Sequence, residues 1–174
     1  MELEEIEQIK KNSANKEFIL EQVTKNGNII EYADENLKKD RNLVIEAVKN
    51  TGEALEYVYQ YFKEDKEIFM LAIETFPWVI CYAGEKLTKD YELMEKCVQT
   101  YGQALYFASE ELRDNEQIVK KAVQNKGIII KYASDRLKDN LEIANIAITN
   151  DKKAKIFISQ EILEKLEKES EKNM

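Results

Sequence analysis

The chain has 174 residues, of which 44% are hydrophobic and 34% are charged, and it contains one proline and five glycines. This composition excludes an intrinsically disordered chain and predicts a soluble all-α protein that is large enough to bury a core. The formal charge of −8 and the pI near 4.9 argue against direct binding of nucleic acid, because phosphate backbones are bound by clustered Lys and Arg residues.

The sequence also limits the location and the chemistry that we expect. No apolar run approaches the length of about 18 residues that a membrane span requires. The N-terminal segment MELEEIEQIKK is acidic and lacks the apolar core of a signal peptide, so we expect a cytoplasmic protein without a membrane segment. Cys81 and Cys97 are too few for a disulfide framework, and we expect both to be reduced thiols.

A 25-residue period organises the chain. Four glycines share one register, namely Gly27, Gly52, Gly102 and Gly127. The vacant position in that register holds Pro77, the only proline. An aromatic column follows the same period and comprises Tyr32, Tyr57, Tyr82, Phe107, Tyr132 and Phe157. A polar column does so too and comprises Asn15, Asp40, Asp65, Asp90, Asn115 and Asn140. Self-similarity of this kind predicts tandem repeats.

In chain order, we predict an N-terminal cap over residues 1–14, six repeats, and a capping helix over residues 159–174. The predicted repeats are residues 15–39, 40–64, 65–89, 90–114, 115–139 and 140–164. One repeat alone cannot bury its apolar face, so we expect the repeats to stack on one another. The prediction is a single α-solenoid domain over residues 1–174.

The second repeat illustrates the predicted local structure. Asp40 is the expected N-cap of a helix A, whose apolar stripe lies within residues 43–48. Gly52 is expected to end this helix in a left-handed conformation. A short helix B then directs Leu55 and Tyr57 inward, and a capped turn follows, as in the segments SEEL and SDRL of later repeats.

The segments DRNLVIEAVKNTGEALEYV and ALYFASEELRDNEQIVKKAVQNKG resemble the tandem repeats of the domain of unknown function family 4116. The resemblance covers about residues 15–164 and rests on the combination of a capped helix, a glycine, a helix-B aromatic residue and a leucine-containing turn. The sequence departs from this pattern at Pro77 and, within the polar stretch NDKKAK, at Lys152. The resemblance implies a helical repeat scaffold and brings no catalytic residues.

The motifs of common enzyme classes are missing from the sequence. It has no histidine, no phosphate-binding glycine loop and no Gly-x-Ser-x-Gly elbow. Most Asp and Glu residues fall at helix caps and on solvent faces, which disfavours an acid–base or glycosidase-type site. Calcium-loop spacing is also missing. We therefore predict a non-enzymatic protein without a catalytic, cofactor or metal site.

Seven aromatic residues in the second to fourth repeats are not required by the repeat pattern. They are Tyr59, Tyr61, Phe76, Trp78, Tyr91, Tyr101 and Tyr106. Other repeats place mostly polar residues in these columns, which predicts solvent-facing positions, above all for Trp78 and Tyr106. Because Tyr, Trp and Phe are common binding anchors, these seven residues are the candidate protein-binding surface. The periodic aromatic column is instead predicted to be core, as is Cys97.

The extra aromatic residues have a second interpretation. Proline cannot adopt the left-handed conformation expected of glycine in this register, and it drives the preceding Phe76 away from helical dihedral angles. Under this interpretation, Pro77 forces a local rearrangement in which the aromatic side chains only fill space. At the level of sequence, local packing and partner binding both remain open.

Three functions are compatible with the sequence. The first is a scaffold that binds a partner protein or peptide on an extended solenoid surface. The second is an acidic inhibitor that mimics nucleic acid and blocks a basic nucleic-acid-binding protein, as a phage or mobile-element counter-defence protein would. The third is a structural homo-oligomer, such as a homodimer, formed through the aromatic residues. Salt separates the first two, because charge mimicry weakens steeply as ionic strength rises.

Overall fold

The computed structural model describes residues 3–172, and this part of the chain is helical with no β-strand. None of its helices is long and apolar enough to cross a membrane. The chain divides into two compact units, Met1–Leu87 (unit 1) and Thr88–Met174 (unit 2). Each unit buries its own set of apolar side chains.

A long α-helix, a 3-10 helix and a short α-helix follow one another repeatedly in both units. The long helices are α2 (Lys16–Lys25), α4 (Arg41–Asn50), α6 (Lys66–Thr75), α8 (Tyr91–Thr100), α10 (Glu116–Asn125) and α12 (Leu141–Asn150). The 3-10 helices are η1 (Gly27–Tyr32), η2 (Gly52–Tyr57), η3 (Pro77–Tyr82), η4 (Gly102–Phe107), η5 (Gly127–Tyr132) and η6 (Lys152–Phe157). The short helices are α3 (Glu35–Lys38), α5 (Tyr59–Phe62), α7 (Glu85–Thr88), α9 (Glu110–Arg113) and α11 (Asp135–Lys138). Helices α1 (Leu3–Lys11) and α13 (Gln160–Lys172) lie at the two ends of the described chain.

The polar column supplies the N-caps of the long helices, as the sequence predicts. The Asp40 carboxylate accepts hydrogen bonds from the backbone N–H groups of Asn42 at 3.1 Å and Leu43 at 3.2 Å. The other five members of the column cap their helices in the same way. The predicted turn caps also form, because Ser109 and Ser134 accept hydrogen bonds at the starts of α9 and α11. These short polar side chains fix where each helix begins.

The glycines of the repeat do not have the predicted left-handed conformation. No residue in the described chain has a positive φ. Gly27, for example, begins a 3-10 helix at a point where the next long helix comes very close. A Cβ atom on Gly27 would lie 2.1 Å from the carbonyl oxygen of Ala47, and one on Gly127 would lie 2.2 Å from that of Ala147. Glycine is needed here because two backbones touch, not because the backbone is left-handed.

Pro77 fits the same local geometry as the glycines. It is the first residue of η3, where the fixed φ of proline suits the start of a helix. The residue before each 3-10 helix has a φ between −151° and −135°, and Phe76 (φ −142°, ψ 75°) is close to Tyr101 (φ −135°, ψ 84°), which precedes Gly102. The conformation of Phe76 is therefore shared with the other repeats. Pro77 does not cause the rearrangement that the sequence suggested.

Polar side chains at the ends of long helices join neighbouring repeats within each unit. Asn50 Oδ1 accepts a hydrogen bond from the Gly27 N–H at 3.0 Å, and Asn50 Nδ2 donates to the Thr24 carbonyl at 2.9 Å. Asn125 and Asn150 make the same pair of hydrogen bonds in unit 2. Each of these amides ties a 3-10 helix to the long helix that follows it.

The core of each unit consists of side chains from the long helices and the 3-10 helices. Val23, Val48 and Ile73 are buried in unit 1, and Val98 and Val123 are buried in unit 2. The aromatic column, which the sequence predicted to be core, is only half-buried. Its rings lie at the edge of the core, because each one is the last residue of a 3-10 helix.

Candidate protein-binding surface

The 3-10 helices present two residues each toward the solvent. Such a helix has about three residues per turn, so residues i and i+3 lie on the same side. In η1, Gly27 and Ile30 are buried, whereas Asn28 and Glu31 occupy the outward positions. The equivalent outward positions of unit 1, its outer face, are Asn28, Glu31, Glu53, Glu56, Trp78 and Cys81. The outer face of unit 2 consists of Gln103, Tyr106, Ile128, Lys131, Lys153 and Ile156.

Three aromatic rings of unit 1 contact one another in a row that begins at Trp78 on the outer face and continues through Tyr82 to Tyr59. Trp78 is 44% exposed, and its ring packs edge-on against Tyr82 with a centroid distance of 5.9 Å and an interplanar angle of 79°. Tyr59, which is 37% exposed, stacks on Tyr82 at 4.7 Å. We call Tyr59, Trp78 and Tyr82 the aromatic cluster. Because each ring supports the next, the exposed rings are held in place before any partner arrives.

Carboxylates lie beside the aromatic cluster. Burial raises the pKa of Tyr82 to about 12, and the neighbouring Glu56 adds to this effect by charge and by hydrogen bonding. Burial, followed by the charge of Glu56, raises the pKa of the Cys81 thiol to about 11. Glu53 accepts a hydrogen bond from Asn28 Nδ2 at 3.0 Å. At neutral pH this surface therefore presents a neutral phenol and a protonated thiol beside the side chains of Glu53 and Glu56.

The outer face of unit 2 is apolar and basic. Tyr106 is 57% exposed, and its ring centroid lies 5.0 Å from those of Phe107 and Tyr132. The Lys131 ammonium lies 4.6 Å from the Tyr132 ring centroid. Ile156 is 76% exposed at a position where unit 1 has Glu31 and Glu56. The two units thus carry different chemistry at equivalent positions.

Two of the predicted site residues are exposed but have local partners. The Tyr61 hydroxyl donates to the Glu35 carboxylate at 2.5 Å, and the Lys39 ammonium lies 5.0 Å from the Tyr61 ring centroid. This hydrogen bond is the main reason that the pKa of Glu35 falls below its usual value. The Tyr91 hydroxyl donates to Glu95 at 3.0 Å. Both tyrosines lie on α-helices, outside the outer faces.

The structure therefore divides the seven predicted residues. It joins Tyr59 and Trp78 through Tyr82, and it places Tyr106 on the outer face of unit 2. Phe76 and Tyr101 are half-buried at the positions that precede η3 and η4. Sequence reasoning missed Tyr82 because its regular column indicated core. It also missed Lys131 and Ile156, although their column holds glutamate in the first two repeats.

Cysteine and acidic side chains can serve as metal ligands and nucleophiles, and the structure describes those within residues 3–172. Cys97 is buried on α8, as predicted, and burial raises its pKa to about 12. Residues 3–172 contain no group of three or more Cys, Asp or Glu side chains arranged to hold a metal ion.

Comparison with known families agrees with the repeated order of helices. The sequence profile of a domain of unknown function, DUF4116, matches residues 15–63, 65–113 and 115–163. The first two matched stretches each contain the order of long helix, 3-10 helix and short helix twice, and in the third the start of α13 takes the place of the second short helix. Neither a curated protein nor a solved structure matches the chain. Since the three matches together cover most of the sequence and follow the resemblance seen in its segments, this protein belongs to the DUF4116 family.

Proposed function

We propose that this protein is a non-enzymatic interaction scaffold of the α-solenoid type, which binds a partner protein or peptide through its outer faces. The observation that carries the proposal is the aromatic cluster of Tyr59, Trp78 and Tyr82. It forms an exposed group of rings in direct contact, with carboxylates beside it. Such groups are typical of the energetic centre of a protein interface.

Two physical properties suit the aromatic cluster to binding. Fully burying a large apolar side chain contributes roughly 1.5–3 kcal/mol, and Trp78 and Tyr59 have 44% and 37% of their surface left to bury, so together they can contribute roughly 1–2.5 kcal/mol to a contact. The rings also lose little conformational entropy, since Trp and Tyr have few rotatable bonds and these rings are already packed on one another. Both properties favour binding of a folded partner or a short peptide.

The non-enzymatic part of the proposal is supported by the state of the ionisable groups. The chain has no histidine. The pKa values of Cys81, Cys97 and Tyr82 are all raised, so these groups stay protonated and are poor nucleophiles at neutral pH. A surface without an activated acid, base or nucleophile suits binding rather than catalysis.

Charge favours a second candidate function, the acidic inhibitor that mimics nucleic acid. Unit 1 contains 18 acidic and 11 basic residues, a formal charge of −7, whereas unit 2 contains 16 acidic and 15 basic residues, a formal charge of −1. A concentration of negative charge in one unit would attract a basic protein. In this case the contact would depend on glutamates rather than on aromatic rings.

A capture experiment tests the proposed function and separates the two candidates. Tagged wild-type protein, Tyr59→Ala/Trp78→Ala and the control Tyr61→Phe/Tyr91→Phe are incubated with lysate of the native host at low and high salt. The control changes two exposed tyrosines that lie outside the aromatic cluster. Circular dichroism confirms that each variant is folded. Bound proteins are quantified by mass spectrometry.

We expect a partner that is captured by the wild type and the control in both salts and is lost from Tyr59→Ala/Trp78→Ala. This dependence on the rings follows from the dominance of aromatic anchors in interfaces. If Tyr59→Ala/Trp78→Ala captures as much partner as the wild type, and high salt abolishes capture by both, the result would support the acidic inhibitor instead. Equal capture by all three proteins in both salts would contradict both proposals.

A further inference from the structure

The outer face of unit 2 exposes large apolar side chains for which the proposed function gives no specific role. Ile156 exposes 76% of its surface and Tyr106 exposes 57%, and Lys131 and Lys153 lie among them. Neither lysine has an ion-pair partner within the part of the chain that the structure describes. A surface that combines exposed apolar groups with unpaired positive charge fits a partner that is apolar and acidic.

The outer face of unit 1 has this complementary chemistry. Glu31 and Glu56 are exposed at the positions that correspond to Lys131 and Ile156, and Trp78 supplies the apolar surface. Glu31 and Glu56 have no ion-pair partner within residues 3–172. An acidic surface that includes a tryptophan and a basic surface that includes isoleucine and tyrosine can satisfy each other.

We propose that the unit 1 outer face of one copy of this chain binds the unit 2 outer face of a second copy. The proposal rests on the proposed function, in that it takes the outer faces to be protein-contact surfaces. It identifies one partner by its chemistry, namely a second copy of the chain. The contact brings Glu31 and Glu56 toward Lys131 and Lys153.

The spacing of the two faces supports this pairing. Both faces are built from consecutive 3-10 helices, and η1 packs on η2 in unit 1 as η5 packs on η6 in unit 2. The distance between successive rows of side chains is therefore set by the same elements in both units. Glu31 and Glu56 lie on the neighbouring helices η1 and η2, and Lys131 and Lys153 lie on the neighbouring helices η5 and η6, so charges in two rows can pair at once. The apolar side chains between them exclude water and strengthen the pairing.

The rings of unit 1 add a second type of attraction. Lysine ammonium groups are attracted to the faces of Trp and Tyr rings. The structure already contains such contacts within one chain, at Lys131 with Tyr132 and at Lys39 with Tyr61. The same attraction is available between the lysines of one unit 2 outer face and Trp78 of another copy's unit 1 outer face. A free acidic peptide would satisfy the lysines but would leave the tryptophan uncovered.

Charge reversal in complementary pairs provides the test. The full-length wild type is compared with Glu31→Lys/Glu56→Lys and Lys131→Glu/Lys153→Glu by sedimentation velocity across a wide range of concentrations. Each variant alone then presents two faces of like charge, whereas an equimolar mixture of the two presents opposite charges. Glu21→Lys/Glu46→Lys is the matched control, because it makes the same change in net charge on helices α2 and α4, away from the outer faces.

We expect the wild type and the control to self-associate and each face variant to do so at least about tenfold more weakly. The mixture of the two face variants should recover most of the wild-type association. Sedimentation of the wild type as a monomer at every concentration would overturn the proposal, as would a mixture that stays monomeric while the wild type associates. Binding of an oligoglutamate peptide by a monomeric wild type would assign the unit 2 face to an acidic peptide instead.

The failure of this proposal is distinct from the failure of the proposed function. Self-association is measured on the purified chain alone, whereas the capture experiment measures other proteins. A monomeric chain that captures a partner through Tyr59 and Trp78 would overturn self-association and leave the scaffold intact.

Discussion

Gly27, Gly52 and Gly127 occupy positions where a side chain has no room. A Cβ atom at each of them would lie 2.1–2.2 Å from a backbone carbonyl oxygen of the following long helix. Backbone atoms inside a packed helix cannot move aside cheaply. Glycine at these positions therefore sets how closely one repeat can stack on the next.

Gly127→Ala is expected to destabilise the protein by about 2 kcal/mol, because the added methyl group forces η5 away from α12. Gly84→Ala is the matched comparison. The three atoms nearest to a Cβ atom at Gly84 would all belong to the Glu64 side chain, which can turn away at the loss of the hydrogen bond that it accepts from the Lys86 N–H. We expect Gly84→Ala to cost less than about half as much. Urea unfolding of both variants measures the difference, and equal losses would show that backbone contact does not explain the repeated glycine.

Some residues of the candidate site could be predicted from the sequence, and others could not. Trp78 was identifiable because Asn28, Glu53 and Gln103 share its column, and a tryptophan among polar residues stands out. Tyr82 was hidden, because its column is aromatic in every repeat and the ring serves both the core edge and the cluster. The hydrogen bond from Tyr61 to Glu35 joins residues 26 positions apart, so no local sequence pattern indicates it.

The long helices were the most predictable elements, because their signals are local. An N-cap such as Asp65 and the apolar stripe that follows it define the start and the buried side of a helix within one segment. The 3-10 helices were less predictable. Their form depends on the contact between a glycine and the carbonyl of a residue about 20 positions later. In the sequence, this contact is visible only as a glycine that recurs every 25 residues. The sequence therefore located helix B but assigned its glycine the wrong role.

Asp65, the N-cap of α6, permits a test of how its charge contributes to the stability of the folded protein. Burial raises the pKa of Asp65, but the Arg41 guanidinium and the Ile68 N–H lower it by more, so the pKa lies below its usual value. Arg41 Nε donates to Asp65 at 2.7 Å. A carboxyl group whose pKa is lower in the folded state stabilises that state above its unfolded pKa of about 3.9, and this contribution is lost as the pH falls through the folded value.

Asp65→Asn should retain the cap and remove the charge, because asparagine fills the same column at Asn15 and Asn115. We expect the variant to be less stable by up to about 1 kcal/mol at neutral pH. The difference should shrink as the pH falls below about 4 and vanish once wild-type Asp65 is protonated. Urea unfolding at several pH values measures this. A difference that persists at the lowest pH would mean that the loss comes from cap geometry rather than from charge.

For the molecule as a whole, the net charge of −8 is distributed unevenly between the two units. Unit 1 carries −7 and unit 2 carries −1, and the outer faces show this contrast as glutamates beside tryptophan in one unit and lysines beside isoleucine in the other. The sequence predicted a tandem-repeat, all-helical protein correctly, because periodicity extends along most of the chain. It did not predict which columns form the outer faces, because that depends on the three-residue turn of the 3-10 helices.

The fluorescence of Trp78 is the most direct test of the central claim, that the outer face of unit 1 is a protein-contact surface. Trp78 is the only tryptophan in the chain, so its emission reports on this surface alone. The measurement is a titration of the protein with a captured partner. The partner either lacks tryptophan or has its tryptophans replaced, and light scattering verifies that it binds. If the claim holds, the emission maximum moves to shorter wavelength and acrylamide quenching falls as the partially exposed indole is buried. A partner that binds while the emission and the quenching of Trp78 stay unchanged would contradict it.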